Sequence, residues 1–313
     1  MPWLPRPIPA QRTEAELQAR MDAVPPLAGA RIGAIVVDQT DRAVAEVRTP
    51  EGPAFLKWWR AEPNRAAAAA LELDRVGPAL RRRGHRVAAS LGAWPDRGLL
   101  LLEAAPGRSV GKALKAADAE GRRALVARVA DWAAAYADSD EDRIAPFGAG
   151  FWARRAEDVP PRPDLPAETQ DLTAAMAAAL RAAVPRLAGA RVRQAAAHGD
   201  LTGANAFWDG EAVWGIDING FCRIALASDL GRFLASVAFD DVPGPRRWGV
   251  PVSDWQAVAA TSPLLPGEES AALPFFVGVW LHASVAWGGR ASRPGQRLKA
   301  ARGWLAEAGS IRA

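Results

Sequence analysis

Cysteine is almost absent from this chain of 313 residues, since Cys222 is the only one. A single cysteine excludes an intramolecular disulfide and a zinc site built on cysteine ligands. Long apolar runs are absent as well: the longest, residues 274–287, is shorter than the ~20 residues of a membrane-spanning helix and contains His282. Because the amino terminus carries prolines where a signal peptide has an apolar run, we expect a soluble cytoplasmic protein with no membrane partner.

Lysine is also scarce. The chain has 39 basic and 35 acidic residues, a net charge of +4, and only four of the basic residues are lysines: Lys57, Lys112, Lys115 and Lys299. Because the charges of both signs are spread along the chain, they do not indicate a nucleic-acid partner.

The first hundred residues alternate short β-type runs with polar turns. After a short helix over 13–21, the pattern predicts three antiparallel strands, followed by a helix over 64–83 that Asn64 caps and Gly77-Pro78 kinks or breaks. The strands of this region are predicted around 35–37, 44–47, 54–57, 87–91 and 99–102.

The rest of the chain is mostly helical in pattern, with helices predicted over 121–137, 167–183, 230–239, 268–287 and 297–308. Ala104-Ala105-Pro106-Gly107 breaks both composition and periodicity. We therefore predict an α+β, bilobal chain. It has an antiparallel-sheet lobe at 1–103, a hinge at 104–108 and a larger helical lobe at 109–313.

The most informative stretch reads His198-Gly199-Asp200-Leu201-Thr202-Gly203-Ala204-Asn205, followed by Trp214-Gly215-Ile216-Asp217. A carboxylate such as Asp200 can orient an acceptor hydroxyl and take its proton. Asn205 offers a neutral oxygen that suits Mg²⁺. Asp217 ends a short apolar run, where a rigidly held carboxylate suits a metal that bridges nucleotide phosphates. Phosphoryl transfer needs these three groups together.

Protein kinases carry His-Arg-Asp with an asparagine at the same five-residue offset from the aspartate. Gly199 replaces that arginine here, and only eleven residues separate Asp217 from Asp229, which leaves little room for an activation loop. These departures favour a small-molecule kinase over a protein kinase.

At these residues the chain resembles the aminoglycoside phosphotransferase family, whose signature is His-Gly-Asp-Leu-x-x-x-Asn followed by Ile-Asp. The resemblance implies a protein-kinase-like fold, ATP or GTP and Mg²⁺ as cofactors, Asp200 as the catalytic carboxylate, and Asn205 and Asp217 as metal ligands. Ser228-Asp229-Leu230 is similar to the family's next element. We expect Asp229 to cap a helix and His198 to brace the loop, while Thr202 departs from a family histidine.

The small lobe must then supply a lysine to the phosphates. Lys57 lies on the third predicted strand in an Ala-x-x-Lys register, and Glu72, on the apolar face of the next helix, is its expected ion-pair partner. Thr40, in the turn 38–41, is expected to cover the phosphates, although the turn lacks the glycines of protein kinases. The backbone from Glu103 to Ala105 is expected at the adenine edge.

The acceptor is less well specified. Acidic residues among tryptophans suit a polyamine or aminoglycoside cation, and the candidates are Asp240, Asp241, Glu268 and Glu269. The leading hypothesis is phosphorylation of an antibiotic hydroxyl. The alternatives are a metabolic kinase for a sugar, homoserine or choline, and a catalytically silent binding protein. The chain is expected to be a monomer or homodimer.

Overall fold

The computed structural model describes residues 10–159, 162–287 and 294–313, so the amino-terminal prolines lie outside the described residues. It is a mixed α+β structure with an antiparallel sheet in its amino-terminal part and helices in its carboxy-terminal part, which confirms the predicted fold class. The chain divides into two compact units, residues 1–107 with 214–221 and residues 108–213 with 222–313. The segment that contains Asp217 therefore belongs to the first unit, whereas the sequence had placed it with the helical lobe.

The first unit is built on a five-stranded antiparallel sheet in the order β1-β2-β3-β6-β5. Strand β4 of this unit lies outside that sheet and pairs in parallel with residues 214–215. The elements of this unit are α1 (Ala10–Asp22), β1 (Arg31–Asp38), β2 (Arg42–Thr49), β3 (Gly52–Trp59), α2 (Arg65–Arg82), β4 (Arg86–Val87), β5 (Ser90–Trp94) and β6 (Leu99–Glu103).

Alternation along β3 decides where Lys57 lies. Successive side chains of a strand point to opposite faces of its sheet. Leu56 and Trp58 face the buried apolar cluster that also contains Leu17 and Met21 of α1. Lys57, between them, therefore lies on the opposite face of the sheet, and it is nevertheless only 2% exposed.

Helix α2 differs from its prediction in two respects, at Pro78 and at Asn64. Pro78 lies inside one continuous helix, although proline removes a backbone hydrogen bond there. Asn64 precedes the helix in a helical backbone conformation and makes no side-chain cap. The buried residues Leu73, Val76 and Leu80 continue the apolar stripe past the proline, and this packing compensates for the lost hydrogen bond.

The second unit is mainly helical. Its small antiparallel sheet has the strand order β12-β9-β8, and α3, α5 and α8 are helices that the sequence did not predict. Its elements are β7 (Arg108–Ser109), α3 (Val110–Ala116), α4 (Ala119–Ala137), β8 (Arg143–Pro146), α5 (Ala149–Glu157), α6 (Ala167–Ala183), β9 (Arg191–Ala196), β10 (Ala206–Trp208), β11 (Val213–Gly215, shared with the first unit), β12 (Arg223–Ala225), α7 (Leu226–Val237), β13 (Arg246–Arg247), β14 (Val250–Pro251), α8 (Val252–Thr261), α9 (Ala272–Ala286) and α10 (Pro294–Glu307).

Helices α7 and α9 approach each other closely at a glycine. A Cβ atom on Gly231 would lie 2.8 Å from the Cβ of Phe276. Helix α9 is apolar on all sides and almost wholly buried, as expected for a helix at the centre of a unit. Among the described residues, none of the helices has the length and apolar character that crossing a membrane requires.

A buried ion network joins the start of α4 to α8 and to the residues after α7. The Arg122 guanidinium donates to Asp254 at 2.6 Å and to Asp240 at 3.0 Å, and Asp254 is fully buried. Burial acts to lower the pKa of Arg122, but the hydrogen bonds and charges of the two carboxylates outweigh it and raise that pKa. Lys115 also lies 3.8 Å from Asp240, whereas Arg122 is the ion-pair partner of Asp254. Because a desolvated charge is costly when unpaired, the burial of Asp254 depends on Arg122.

Replacing Arg122 by methionine should therefore destabilise the protein by about 3–5 kcal/mol, since it leaves the buried Asp254 without an ion-pair partner and Asp240 with only the more distant Lys115. Urea denaturation measures the free energy of unfolding. The matched control is Arg302→Met, which breaks the exposed pair with Glu168 and should change the free energy by less than about 1 kcal/mol. Equal effects of the two substitutions would contradict the assigned role of the network.

Glu268 is a second buried carboxyl group, 1% exposed. Its Oε2 accepts a hydrogen bond from the Leu265 N–H at 2.6 Å, and its Oε1 has no hydrogen-bond partner among the described residues. Burial raises the pKa of Glu268 to about 7. The neighbouring Glu269 is exposed and serves as its control.

The folded protein binds more protons at Glu268 than the unfolded chain does between its ordinary pKa of 4.5 and about 7. The free energy of unfolding should therefore fall as pH rises through this window, by up to about 3 kcal/mol. Glu268→Gln should remove that part of the pH dependence, and Glu269→Gln should leave it unchanged. Denaturation series across the window measure the difference, and parallel curves for native protein and Glu268→Gln would refute the assignment.

Candidate active site

Lys57 carries a buried ammonium in the first unit. It donates to a carboxylate oxygen of Asp217 and to the side-chain oxygen of Asn219, and it lies 4.8 Å from the centre of the Trp59 ring. Burial lowers the pKa of Lys57, while the Asp217 carboxylate acts in the opposite direction. A compact cation is thus held on a rigid strand, beside a carboxylate that a metal can recruit.

Asp217 lies two residues beyond β11 in a left-handed backbone conformation, with a φ of 63°. This conformation is unusual for residues other than glycine and concentrates at functional sites. The Asn219 amide donates to the Asp217 carbonyl at 2.8 Å and closes the turn. The Asp217 side chain is 25% exposed, so its carboxylate remains accessible to a ligand.

The predicted Lys57–Glu72 ion pair is wrong. Glu72 is buried on α2 as expected, but both of its oxygens accept from Arg75, one turn along the same helix, at 2.6 and 2.8 Å. An arginine three residues away can approach a carboxylate through two N–H groups, which stabilises the buried charge locally. Lys57 takes its partners from the segment 214–221 instead. Asn219 was not predicted, although it follows Asp217 by only two residues.

The second unit carries the loop 198–205, which is anchored by a buried carboxylate. Asp229 accepts from the His198 N–H at 2.7 Å and from the Gly199 N–H at 3.0 Å. Burial raises the pKa of Asp229, while His198 and the two backbone N–H groups act in the opposite direction. The expected cap is wrong: α7 begins at Leu226, and Asp229 sits inside its first turn. Its hydrogen bonds go to the loop and not to its own helix.

Within this loop, Asp200 and Asn205 are directly connected. The Asn205 amide donates to the Asp200 carbonyl at 2.9 Å, so its amide oxygen is the atom left for a metal ion. The buried His198 ring accepts the Asp200 N–H through Nδ1 at 3.2 Å. The Gly203 N–H donates to Ser236 of α7 at 3.0 Å. These contacts fix the backbone on both sides of the Asp200 carboxylate.

Gly199 occupies the position of the protein-kinase arginine for a steric reason. Its φ is +77°, a left-handed conformation that residues with a Cβ rarely adopt. A Cβ at this position would lie 3.2 Å from the Cys222 sulfur. The backbone thus places both N–H donors toward Asp229 only with a glycine between His198 and Asp200.

Arg232 is a further residue of this site that the sequence did not reveal. Its guanidinium forms an ion pair with the Asp200 carboxylate and donates to the Gly199 carbonyl at 3.3 Å. It stands one helical turn after Asp229 on α7. That spacing, i to i+3 from a loop-anchoring aspartate, is the one signal that could have found it.

The three residues that were predicted to contact the nucleotide, Thr40, Glu103 and Ala105, lie in the first unit. Thr40 is exposed in the turn between β1 and β2, a turn that the Arg60 side chain binds through the Gln39 carbonyl. Glu103 ends β6, and its N–H donates to the Ala89 carbonyl at 2.9 Å. Ala105 follows outside any helix or strand. Their roles toward a nucleotide stay predictions.

Two of the four predicted acceptor ligands are engaged in the interior. Asp240 belongs to the Arg122 network, and Glu268 is the buried carboxyl group with a raised pKa. Asp241 and Glu269 are exposed. The acidic surface expected to bind a polyamine therefore does not form from these residues.

A nucleotide-bound Mg²⁺ takes most of its ligands from phosphates and water and needs only one or two side chains from the protein. No group of three or more histidine, cysteine, aspartate or glutamate side chains arranged to hold a metal occurs in the part of the chain that the structure describes. The Asp217 carboxylate and the Asn205 amide oxygen are hard donors of the kind that Mg²⁺ prefers. These residues fit the cofactor that the resemblance implies.

The fold is shared with solved structures of small-molecule kinases. A microcompartment-associated aminopropanol kinase matches with a TM-score of 0.61 and 18% identity, over 94% of this chain and 96% of that chain. A choline/ethanolamine kinase family protein from Mesorhizobium loti matches with a TM-score of 0.58 and 17% identity, over 94% and 93%. An amicoumacin kinase in complex with AMP-PNP and Ca²⁺ matches with a TM-score of 0.51 and 15% identity, over 88% and 87%.

At these identities the likeness establishes the fold, and the predicted kinase-like architecture is confirmed. No protein-family model and no curated protein matches the sequence.

The steric account of Gly199 makes a testable prediction. Gly199→Ala should destabilise the protein by more than Gly189→Ala, a control with a similar φ of +82° and no atom within 4 Å of the place where a Cβ would lie. The control should cost about 1–2 kcal/mol for the left-handed backbone alone. Urea denaturation measures both. In a Cys222→Ala background the difference between the two should shrink, and an unchanged difference would show that the Cys222 contact is not its cause.

Proposed function

We propose that the protein transfers the γ-phosphate of ATP, or of GTP, to a hydroxyl group of a small molecule. The loop 198–205 carries the proposal. It presents the Asp200 carboxylate and the Asn205 amide oxygen five residues apart on a backbone that Asp229 anchors. The fold shared with small-molecule kinases supports the same conclusion.

Asp200 orients the acceptor hydroxyl and takes its proton as the oxygen attacks. The acceptor oxygen forms a bond to the γ-phosphorus, the bond from that phosphorus to the β–γ bridging oxygen breaks, and ADP leaves with the electron pair. Because the reaction demands little covalent chemistry of the protein, positioning and charge stabilisation supply most of the rate enhancement. The backbone hydrogen bonds around Asp200 provide this positioning.

Lys57 binds the nucleotide phosphates through its ammonium. Phosphate oxygens would replace Asp217 at this ammonium, and Asp217 and Asn205 are the residues that would each offer an oxygen ligand to Mg²⁺. When bound, Mg²⁺ neutralises charge that develops on the phosphates. The complex of the amicoumacin kinase with AMP-PNP and Ca²⁺ supports a nucleotide and a divalent cation as cofactors.

The burial of two acidic residues bears on the nature of the acceptor. An aminoglycoside-like antibiotic requires acidic groups for its ammonium ions, and two of the expected four, Asp240 and Glu268, are committed to the interior. We therefore favour a metabolite over a polycationic antibiotic as the acceptor.

Asp200→Asn should lower kcat by at least about 100-fold, because the amide cannot accept the acceptor proton. The affinity for ATP should remain within a few-fold of the native value. ADP release with a panel of alcohols, amino alcohols and hydroxy acids measures turnover, and titration calorimetry measures nucleotide binding. Asp241→Asn, at an exposed carboxylate, is the matched control and should retain native turnover.

In the same assays Lys57→Met should weaken ATP binding, whereas Lys112→Met, at an exposed lysine, should not. Nucleotide binding without phosphorylation of any acceptor would instead support a binding protein with a kinase-like fold.

A further inference from the structure

Five residues of the second unit form what we call the Arg232 cluster: Asp200, Arg232, Trp280, Trp152 and Arg155. The Arg232 guanidinium lies 4.2 Å from the centre of the Trp280 ring, and the Arg155 guanidinium lies 6.0 Å from that of Trp152. The two indole rings are 5.9 Å apart. Two cations thus lie over an aromatic pair, and one of them, Arg232, is ion-paired with the proposed catalytic carboxylate.

The orientation of Arg232 is fixed. The Trp280 Nε1–H donates to the Ser228 carbonyl at 3.0 Å, which holds the ring on which the guanidinium lies. The same guanidinium binds Asp200 and the Gly199 carbonyl. A stacked, doubly bonded arginine loses little further freedom when it binds a ligand, so its remaining N–H groups form a preorganised donor set.

The remaining N–H groups of Arg232 are sufficient to bind an anion. A guanidinium has five N–H groups, and the contacts with Asp200 and Gly199 account for two of them. Arg232 makes no other hydrogen bond within residues 10–159, 162–287 and 294–313, and its side chain is 24% exposed. The planar fork of arginine matches carboxylate and phosphate oxygens.

The charges of the cluster disfavour a cationic acceptor. An ammonium close to the N–H groups of Arg232 that Asp200 leaves unpaired is repelled by the guanidinium charge, which the paired Asp200 carboxylate partly offsets. An anion at the same place is attracted. Arg155 adds a second positive charge over the neighbouring ring. The ring face that would otherwise attract an acceptor ammonium is covered by the chain's own guanidinium.

We propose that Arg232 determines acceptor specificity, and that the acceptor carries an anionic group, a carboxylate or a phosphate, close to the hydroxyl that is phosphorylated. This inference rests on the proposed function, because it places the anion relative to Asp200. The oxygen of the acceptor hydroxyl attacks the γ-phosphorus as described above, while the anionic group binds the free N–H donors of Arg232 and stays chemically unchanged.

A matched acceptor series tests the proposal. Glycerate, glycerol 3-phosphate, glycerol and 3-aminopropane-1,2-diol share a vicinal diol frame and differ in the charge of the third group. For native protein we expect kcat/KM for the better of the two anions to exceed that for glycerol by about 10- to 100-fold, the size of a charge-assisted hydrogen bond. The aminodiol should be the poorest acceptor. The two anions distinguish a carboxylate from a phosphate.

Variants separate specificity from a merely structural role. Because Arg232 also holds Asp200, Arg232→Gln lowers turnover of every acceptor, so the decisive quantity is the ratio of kcat/KM for anion to kcat/KM for glycerol. That ratio should fall to about one in Arg232→Gln, remain above one in Arg232→Lys and fall below one in Arg232→Glu. Arg181→Gln, which breaks the exposed pair with Glu157, is the control and should keep the native ratio.

The outcomes are distinguishable from failure of the proposed function. A native preference for glycerol or the aminodiol, or an anion preference that survives in Arg232→Gln, overturns the inference while phosphoryl transfer stands. If no acceptor is phosphorylated, titration calorimetry with glycerate and glycerol 3-phosphate decides. Binding that Arg232→Gln abolishes supports the anion site although the kinase proposal fails, and binding that is absent or unaffected by the substitution overturns the inference as well.

Discussion

The ion pair between Lys57 and Asp217 is the interaction on which the account of the first unit depends. Strand alternation buries the Lys57 ammonium on the face opposite the α1 cluster, where an unpaired charge would be strongly destabilising. The segment 214–221 meets this need with one carboxylate and one amide oxygen. On our proposal, phosphate oxygens replace the carboxylate at the ammonium, and a divalent cation replaces the ammonium at the carboxylate.

In the second unit, the Asp200 carboxylate is accessible to solvent and is nevertheless held rigidly. The Asp200 side chain is 39% exposed, yet the N–H groups of residues 198–200 and the Asp200 carbonyl are all hydrogen-bonded. Asp229 holds the residues before it, His198 receives its own N–H, and Asn205 donates to its carbonyl. Arg232 then sets the charge environment of the carboxylate, so α7 supports the loop and, on our proposal, selects the acceptor.

Local pattern was enough to predict the helix and strands of the first unit, the helix over 167–183 and the burial of Glu72, because periodicity and turn residues act over a few positions. It was not enough to predict the partners of buried charges. Glu72 pairs with Arg75 and not with Lys57, because Arg75 lies one turn along the same helix, within ion-pair distance of it. Asp240 and Glu268 carried no local sign of burial, since their partners Arg122 and Leu265 are set by tertiary packing and a loop. The helix-breaking tendency of Pro78 was outweighed by the burial of the apolar stripe on the same helix.

The most direct test of the central claim is a crystal structure of the full chain with AMP-PNP and Mg²⁺. The account predicts that Lys57 leaves Asp217 and contacts phosphate oxygens, and that Asp217 binds the metal ion. A bound nucleotide that leaves the Lys57–Asp217 pair intact and its triphosphate remote from both residues would contradict it.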